Sequence, residues 1–305
     1  MSLAPIALFT YNRPDHTRKT VEGLRQNPLS SQTDLFAFSD GPKSEAAKQQ
    51  VQEVRDYLKT INGFRSVTIV ERKANKGLSA NIIDGVQRVV SEFGKVIVME
   101  DDLIVSPYFL DYMNKGLCIY EQDENVISLH GYLYPVKEKL PETFFLRGAD
   151  CLAWATWKRG WDLFERDANL LLQKLIESKQ MKQFDFDGNY PFVQMLKDQI
   201  AGKRDSWAIR WYASAFLANK YTLFPGKSLA VNIGGDGSGT NNGFEPLTPS
   251  SLDPNPINIS RIEVRQHVEA FRAFAAYYHK AIHPPLWHRV KRRLRMIFDK
   301  YQKSF

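Results

Sequence analysis

The chain has 305 residues, of which 43% are hydrophobic and 25% charged, as is usual for one large or two small globular domains. No apolar run approaches the roughly 20 residues of a membrane span. The first residues lack the basic start and long apolar core of a signal peptide, and the two cysteines, Cys118 and Cys151, predict no disulfide framework. We therefore expect a cytoplasmic protein. The net charge is +7, and residues 286–305 carry +6 of it. Residues 1–285 are therefore nearly neutral, which argues against a general nucleic-acid binder, because such a protein needs a basic face on its folded body.

The first 105 residues alternate between predicted strands and predicted helices. Continuous apolar runs predict strands over residues 6–10, 34–40, 66–72 and 95–100. Apolar positions at helical spacing predict helices within 16–27 and 44–61, and a loop followed by a helix within 75–94. Because parallel strands buried on both faces are continuously apolar, this order predicts an α/β fold with a mostly parallel, Rossmann-like sheet and helices on both faces. Ligands of such sheets bind outside the carboxyl ends of the strands.

The second half is less regular. We predict a strand over 126–132, helices near 192–201, 206–219 and 262–279, and a strand or strand pair that opens into a Gly-rich loop at 234–239. Residues 247–258 contain three prolines and have the composition of a linker. Trp154, Trp157 and Trp161 are spaced three and four apart, so both core packing on a helix and stacking on a sugar remain open.

Three carboxylates follow the fourth predicted strand directly, namely Glu100, Asp101 and Asp102. Burying such charges costs several kcal/mol unless something pairs with them, and a divalent cation would do so. Oxygen ligands at this position suit Mn²⁺ or Mg²⁺ bridging to a substrate diphosphate. The sequence has no GxxxxGK[ST], GxGxxG, HExxH, GxSxG or paired CxxC motif, and so offers no support for a P-loop, zinc, redox or nucleophile-elbow site.

The segments "TYNRP", "AFSDGPKS", "NKGLSAN" and "VIVMEDD" resemble, in this order, the nucleotide-sugar half of GT-A glycosyltransferases. Their spacing is similar to that of family 2 enzymes and, with Glu-Asp-Asp, to the N-acetylglucosaminyltransferase I family. The later "LAWATWKRGW", "RDSWAIRW" and "NIGGDGSG" look like the acceptor half of that group. The resemblance covers about residues 4–243 and implies a GT-A fold with a C-terminal helical extension.

The resemblance also implies roles for individual residues. Asp102 would bind the metal, and Asp205 would be the base that deprotonates the acceptor hydroxyl. The nucleotide and donor sugar would be bound by Thr10, Asn12, Arg13, Asp40, Lys76, Glu100 and Asp101. The loop at 234–239 would close over the donor, although related enzymes have a Ser-His pair there and this chain has Asp236, Ser238 and Thr240.

Simpler interpretations of these acids stay open beside the catalytic ones. Asp40 precedes a glycine and is also typical of a turn. Asp205 precedes a predicted helix and is also suited to be its N-cap. Asp150, just before the tryptophan-rich stretch, is the second candidate for the base.

These features predict a metal-dependent glycosyltransferase that moves a hexosyl or N-acetylhexosaminyl group, with inversion, from a nucleoside-diphosphate sugar, by resemblance a UDP-sugar. The acceptor would be a hydroxyl of a glycan or lipid-linked molecule in cell-surface polysaccharide or glycoconjugate synthesis. A sugar nucleotidyltransferase and a catalytically silent nucleotide-sugar-binding protein are the alternatives. We expect a catalytic domain at 1–246, with a nucleotide-sugar half at 1–105 and an acceptor half at 106–246, and a linker, helix and tail at 247–305.

The tail at 286–305 combines an apolar stripe with basic side chains. The stripe consists of Trp287, Val290, Leu294, Ile297, Phe298, Tyr301 and Phe305, at steps of three and four. This pattern is typical of an amphipathic helix that lies on an anionic membrane, although a terminal helix packed on the body would show it too. It predicts a peripheral protein on the inner face of the membrane.

Overall fold

The computed structural model describes residues 2–236, 252, 253 and 255–283. The strands of this part of the chain are β1 (Ile6–Thr10), β2 (Asp34–Ser39), β3 (Ser66–Glu71), β4 (Lys95–Glu100), β5 (Leu103–Val105), β6 (Val126–His130), β7 (Thr143–Arg147), β8 (Trp154–Trp157), β9 (Tyr221–Pro225) and β10 (Ala230–Asn232). The helices are α1 (Pro14–Arg25), α2 (Lys48–Lys59), α3 (Leu78–Phe93), α4 (Phe109–Ile119), α5 (Lys158–Trp161), α6 (Ala168–Glu177), α7 (Met181–Phe184), α8 (Phe192–Ile200), α9 (Trp207–Leu217) and α10 (Val268–Ile282).

Eight strands form one sheet in the order β3-β2-β1-β4-β8-β6-β9-β7. The pairs β3–β2, β2–β1, β1–β4 and β6–β9 are parallel, whereas β8 and β7 run antiparallel to their neighbours. The predicted α/β class with a mostly parallel sheet is therefore confirmed. The carboxyl ends of β1, β2 and β4 lie side by side at one edge, which brings the polar residues after these strands together.

Helices cover both faces of the sheet. Alternate residues of β1 point to opposite faces, because side chains alternate along a strand. Ile6 and Leu8 belong to a core that includes residues of α1, α4 and α10, whereas Ala7 and Phe9 belong to a core that includes residues of α3 and α9. The continuous apolar runs of the first four strands are thus explained by burial on both sides.

The tryptophan-rich stretch does not form the predicted helix. Trp154 and Trp157 begin and end β8, and Trp161 ends the short helix α5. All three side chains are buried, and Trp154 packs on Trp207 and Trp211 with ring centroids 5.5 Å apart. The helical interpretation was wrong because a spacing of three and four also fits a strand followed by one helical turn. The structure shows these three rings packed in the core.

The end of the described chain also differs from its prediction. Helix α10 begins at Val268, where His267 accepts a hydrogen bond from the amide of Ala270. The residues before it are extended, and Gln266 pairs with Phe145 of β7. The predicted helix started six residues too early, because residues 262–267 are not helical and Gln266 and His267 bond to Phe145 of the sheet instead.

No helix among the described residues has the length and apolar character needed to cross a membrane. Residues 247–251 and 254 of the predicted linker, and the whole predicted amphipathic tail at 286–305, lie outside the described residues.

Candidate active site at the carboxyl end of the sheet

The acid triplet lies where β4 ends and the chain turns into β5. Asp101 is buried, and Glu100 and Asp102 are half-buried. The guanidinium of Arg13, which follows β1, donates to Asp101 Oδ1 and to Asp102 Oδ2, the latter at 3.0 Å. Asp101 also accepts from the amide of Tyr11 at 3.3 Å. One cation therefore pairs with two of the three carboxylates.

The third carboxylate, Glu100, has no hydrogen-bond partner among the described residues. Burial, and then the charges of Asp102 and Asp101, raise the pKa of Glu100 to about 8. Burial raises the pKa of Asp101 to about 6, although Arg13 acts in the opposite direction. Like charges at close range in a low-dielectric site disfavour ionisation. Even with Glu100 protonated at pH 7, Asp101 and Asp102 together have more negative charge than Arg13 balances.

The part of the chain that is described contains no group of three or more His, Cys, Asp or Glu side chains arranged to hold a metal ion. Asp102 has one oxygen bound to Arg13 and is 15% exposed at its side chain. Mg²⁺ and Mn²⁺ sites of transferases use one or two carboxylates and take their other ligands from water and substrate phosphates. The excess of negative charge and the half-buried carboxylate of Asp102 fit such an ion, and Asp102 would be its protein ligand.

Asp40, after β2, accepts four hydrogen bonds with its carboxylate. The donors are the amides of Gly41, Lys76 and Gly77 at 2.8–2.9 Å and the side chain of Asn75 at 3.1 Å. An ionised carboxylate has about four acceptor positions. Asp40 therefore holds the loop between β3 and α3 in place, and it has little capacity left to bind the nucleotide sugar, its predicted ligand.

The other predicted donor residues surround the same edge. Thr10 ends β1, and its buried hydroxyl has no hydrogen-bond partner within the described residues. Asn12 donates to Gln50 at 3.1 Å, and the ammonium of Lys76 pairs with Asp84 at 2.5 Å. Arg13 thus contacts the acid triplet, and Thr10 ends the strand that pairs with β4. Asn12 contacts α2 instead, and Lys76 lies just before α3.

The segment after β10 crosses the site. Strand β10 pairs antiparallel with β5, and the amide of Ile233 donates to the carbonyl of Asp102 at 2.8 Å. A side chain at Gly234 would place its Cβ only 2.3 Å from Asp102 Oδ2. Asp236 then pairs with His16 of α1 at 3.3 Å. The described part of the predicted Gly-rich loop, 234–236, thus packs on Asp102, while Ser238 and Thr240 lie outside the described residues.

Asp150 lies in a separate polar group near the triplet. It accepts from the hydroxyl of Tyr134 at 2.9 Å and from the amide of Cys151 at 2.7 Å. Burial raises the pKa of the Cys151 thiol, and the charges of Asp150, Glu100 and Asp102 raise it further. Cys151 is therefore within electrostatic range of both Asp150 and the triplet.

His130 and Tyr134 support Asp150, and sequence analysis missed both. His130 Nε2 lies 3.7 Å from Asp150 Oδ1. Both residues follow or end β6, in "LHGYLY", at the same edge as the triplet. The signal that could have identified them is their position, since both are polar side chains at or just after the end of a predicted strand.

Asp205 lies on the surface. Its side chain is 64% exposed and pairs with Arg210 at 3.1 Å, and Arg210 also donates to Ser79 at the start of α3. Asp205 is not the N-cap of α9. The N-cap is Ser206, whose hydroxyl accepts a hydrogen bond from the amide of Ile209 at 3.3 Å.

A family model for glycosyl transferase family 2 matches residues 6–167, which include β1 to β4, the acid triplet and Asp150. The chain belongs to this family. The observed sheet, with its parallel half and its antiparallel strands β8 and β7, is the GT-A fold.

The chain is also similar to solved structures, at low identity. A crystal structure of S. aureus TarS has a TM-score of 0.37 and 11% identity over 53% of this chain and 29% of that one. The structure of S. aureus TarS 1–349 has a TM-score of 0.35 and 10% identity over 53% of this chain and 48% of that one. The structure of the mannosyltransferase PcManGT from Pyrobaculum calidifontis, in complex with GDP-Man and Mn²⁺, has a TM-score of 0.35. Its identity is 13% over 53% of this chain and 46% of that one. The chain thus spans less than half of each of these proteins, and no curated protein matches it.

Proposed function

We propose that this member of glycosyl transferase family 2 transfers a sugar from a nucleoside-diphosphate sugar to an acceptor hydroxyl with the help of Mn²⁺ or Mg²⁺. The observation that carries this proposal is the acid triplet at the carboxyl end of β4, with Gly234 packed on Asp102 Oδ2. Family membership supports glycosyl transfer over the synthesis of sugar nucleotides, the alternative considered from the sequence.

In this proposal the donor lies over the carboxyl ends of β1, β2 and β4. Asp102 holds the metal ion, and such an ion neutralises charge on a departing diphosphate. Arg13 keeps Asp101 and Asp102 in position, and the buried hydroxyl of Thr10 gains a partner from the ligand. Uridine as the base remains an expectation from the resemblance.

We place the general base at Asp150 rather than at Asp205. A base must reach the proton that it removes, in a site that excludes most water. Asp150 is half-buried, is oriented by Tyr134 and lies near the triplet, whereas Asp205 is exposed and paired with Arg210. Direct displacement with Asp150 on the face opposite the diphosphate would invert the anomeric carbon.

The base assignment is tested by Asp150→Asn and Asp205→Asn. General-base catalysis contributes about 10²–10⁴-fold, so we expect Asp150→Asn to lower kcat by about that factor while the Kd for the nucleotide with Mn²⁺ is unchanged. Asp205→Asn should change kcat less than about fivefold. The measurements are product formation at saturating donor and calorimetric titration with the nucleoside diphosphate.

The opposite ranking of the two variants would return the base to Asp205. Normal turnover in both Asp150→Asn and Asp205→Asn would show that neither residue is the general base. A wild-type protein that binds a nucleoside-diphosphate sugar but neither hydrolyses nor transfers it would favour the catalytically silent alternative.

We also propose that the tail at 286–305 holds the enzyme on an anionic membrane, where a lipid-linked acceptor resides. Each basic residue near such a surface contributes about 1 kcal/mol, and the segment has a net charge of +6. Co-sedimentation of the whole chain with anionic liposomes, but not of a chain ending at Pro284, is the expected result. Equal behaviour of the two chains would refute the membrane role and leave the catalytic proposal unaffected.

A further inference from the structure

Two adjoining cavities extend from Asp150 towards the far edge of the sheet. The inner cavity, of about 220 Å³, is lined by Asp150, Tyr134 and Tyr278 among other residues. The outer cavity, of about 310 Å³, is lined by Asn219, Asp187 and several aromatic rings. Both share Arg147, Phe186 and Tyr212 as walls. Together they reach the size of ligand pockets, which are about 300–1,000 Å³.

Arg147 has hydrogen-bond donors to spare at the junction of the two cavities. Its Nε and one terminal nitrogen donate to the carbonyl of Phe216 at 3.2 and 2.9 Å, and its guanidinium lies 4.0 Å from the ring of Phe216. A guanidinium has five N–H groups. The other three have no partner within the described residues, and no carboxylate there forms an ion pair with Arg147. This half-buried cation is thus only partly satisfied.

The backbone around the outer cavity is unusual. Phe186, Asp187 and Asn219 all have positive φ, at 50°, 56° and 54°. Positive φ is rare for a residue as bulky as phenylalanine, and such strain is concentrated at functional sites. Asn219 closes α9 and, like Asp187, is of a residue type that adopts positive φ readily, so the strain is at Phe186, a wall residue of both cavities.

The walls have the chemistry of a saccharide site. Aromatic rings offer apolar faces to sugar C–H groups, while Tyr134 and Asp150 offer polar groups at the inner end. Exposed residues, Gln183, Asp187 and Asn219, lie on the outer cavity, so it opens towards solvent. Phe186, Tyr212 and Tyr278 come from beyond residue 167, outside the segment that the family model matches.

We propose that these cavities bind the acceptor, and that the acceptor is a saccharide with an anionic group, a carboxylate or a phosphate, which Arg147 binds. This inference rests on the proposed function, since it places the acceptor hydroxyl at Asp150. Arginine binds carboxylate and phosphate through two parallel hydrogen bonds, which lysine cannot reproduce. Asp187 lies on the same cavity and opposes the anion, so its removal strengthens binding.

The test is direct binding of small sugars, measured by NMR titration without turnover. Methyl glucuronide and methyl glucoside differ only in the carboxylate, and glucose 6-phosphate supplies a phosphate in its place. We expect the wild-type protein to bind at least one anionic sugar about tenfold or more tighter than methyl glucoside. Whichever anionic sugar binds more tightly identifies the anion.

Arg147→Met should remove this preference, Arg147→Lys should reduce it, and Asp187→Asn should increase it. Arg159→Met is the matched control. Arg159 also donates to backbone carbonyls and lies 4.2 Å from an aromatic ring, that of Trp157, but it lines neither cavity. The control should keep the preference, and thermal melting identifies any variant that fails to fold.

Equal binding of the neutral and anionic sugars to the wild-type protein would overturn the proposal, as would a preference that persists in Arg147→Met. If nucleoside diphosphates bind with Mn²⁺ while no anionic sugar is preferred, this inference fails and the proposed function stands. If the anionic sugar binds but no nucleoside-diphosphate sugar is turned over, the proposed function fails instead.

Discussion

His130 shows how one buried side chain orients the candidate base. Its Nε2 accepts from the amide of Leu152 at 3.1 Å, so Nδ1 is the protonated nitrogen and donates to the carbonyl of Tyr132 at 2.8 Å. The neutral ring thus joins the loop that contains Asp150, through the amide of Leu152, to the segment after β6, through the carbonyl of Tyr132. A charged ring would lose one of them, because both nitrogens would then be donors.

The protonation of His130 makes stability depend on pH. Burial lowers the pKa of His130 below its usual value near 6.5, although Asp150 acts in the opposite direction. The unfolded chain therefore takes up the proton first, and the stabilisation is complete above pH 6.5 and is lost as the pH falls below it. We expect wild type to lose more stability than His130→Gln between pH 7.5 and 5, with an added slope of up to about 1.4 kcal/mol per pH unit. Urea unfolding of both proteins at the two pH values measures this, and parallel losses would contradict it.

At the residue scale, the acid triplet could be located from the sequence, but the hydrogen-bond donors that contact Asp40 could not. Strand periodicity and position predicted that Asp40 and Asp102 would share one edge of the sheet. That Asp40 is occupied by two backbone amides and one side chain of the next loop could not be foreseen, because those bonds depend on how residues 75–77 approach it in space.

The ribbon of β5 and β10 is the element that brings distant chain to the site. It joins residues more than a hundred positions apart in sequence, and it ends with Gly234 against Asp102. A Cβ at 2.3 Å from Oδ2 requires either the carboxylate or the ribbon to move.

Gly234→Ala should therefore weaken Mn²⁺-dependent nucleotide binding by about 10–100-fold, the usual effect of disturbing groups around a metal ligand. Calorimetric titration measures it. Gly63→Ala is a control for backbone strain, because Gly63 has a φ of 84° and lies just before β3, at the opposite edge of the sheet. The control should lower the melting temperature and leave binding unchanged. Normal nucleotide affinity in Gly234→Ala would show that the ribbon does not shape the site.

Elements with local patterns were predicted well and elements with distant partners were not. β1 was predicted at its observed bounds because its five residues, four of them apolar, are all buried. The two strands at 221–232 were predicted as a possible pair, yet β9 joins the large sheet and β10 joins β5. Local periodicity does not determine which strand is the neighbour.

At the scale of the whole molecule, α10 is part of the main core, although it lies beyond the family segment and the sequence assigned it to a terminal extension. Phe274 is 1% exposed and packs edge-on against Phe144 and Phe224 of the sheet, with centroids 6.0 and 5.5 Å apart. Tyr278 of the same helix lines the inner cavity.

Phe274→Ala should destabilise the whole protein by about 3–5 kcal/mol, because it leaves a cavity in the core. Val268→Ala, on the exposed side of the same helix at 57% exposure, should cost less than about 0.5 kcal/mol. Denaturant unfolding followed by far-UV circular dichroism checks both. A small effect at Phe274, or a separate early transition, would mean that α10 is not part of the cooperative unit.

The central claim is that Asp102 binds a metal ion that holds a nucleoside diphosphate at the carboxyl end of β4. A thermal-shift screen of UDP, GDP, CDP, ADP and dTDP, with and without Mn²⁺, on the wild type and Asp102→Ala, tests it most directly. A ligand that binds only the folded state stabilises it by RT ln(1 + [L]/Kd), so the true nucleotide should raise the melting temperature of the wild type only with Mn²⁺. Asp102→Ala should lose that shift, with Kd increased by about 100-fold or more. An equal shift in Asp102→Ala, or no shift with any nucleotide, would contradict the claim.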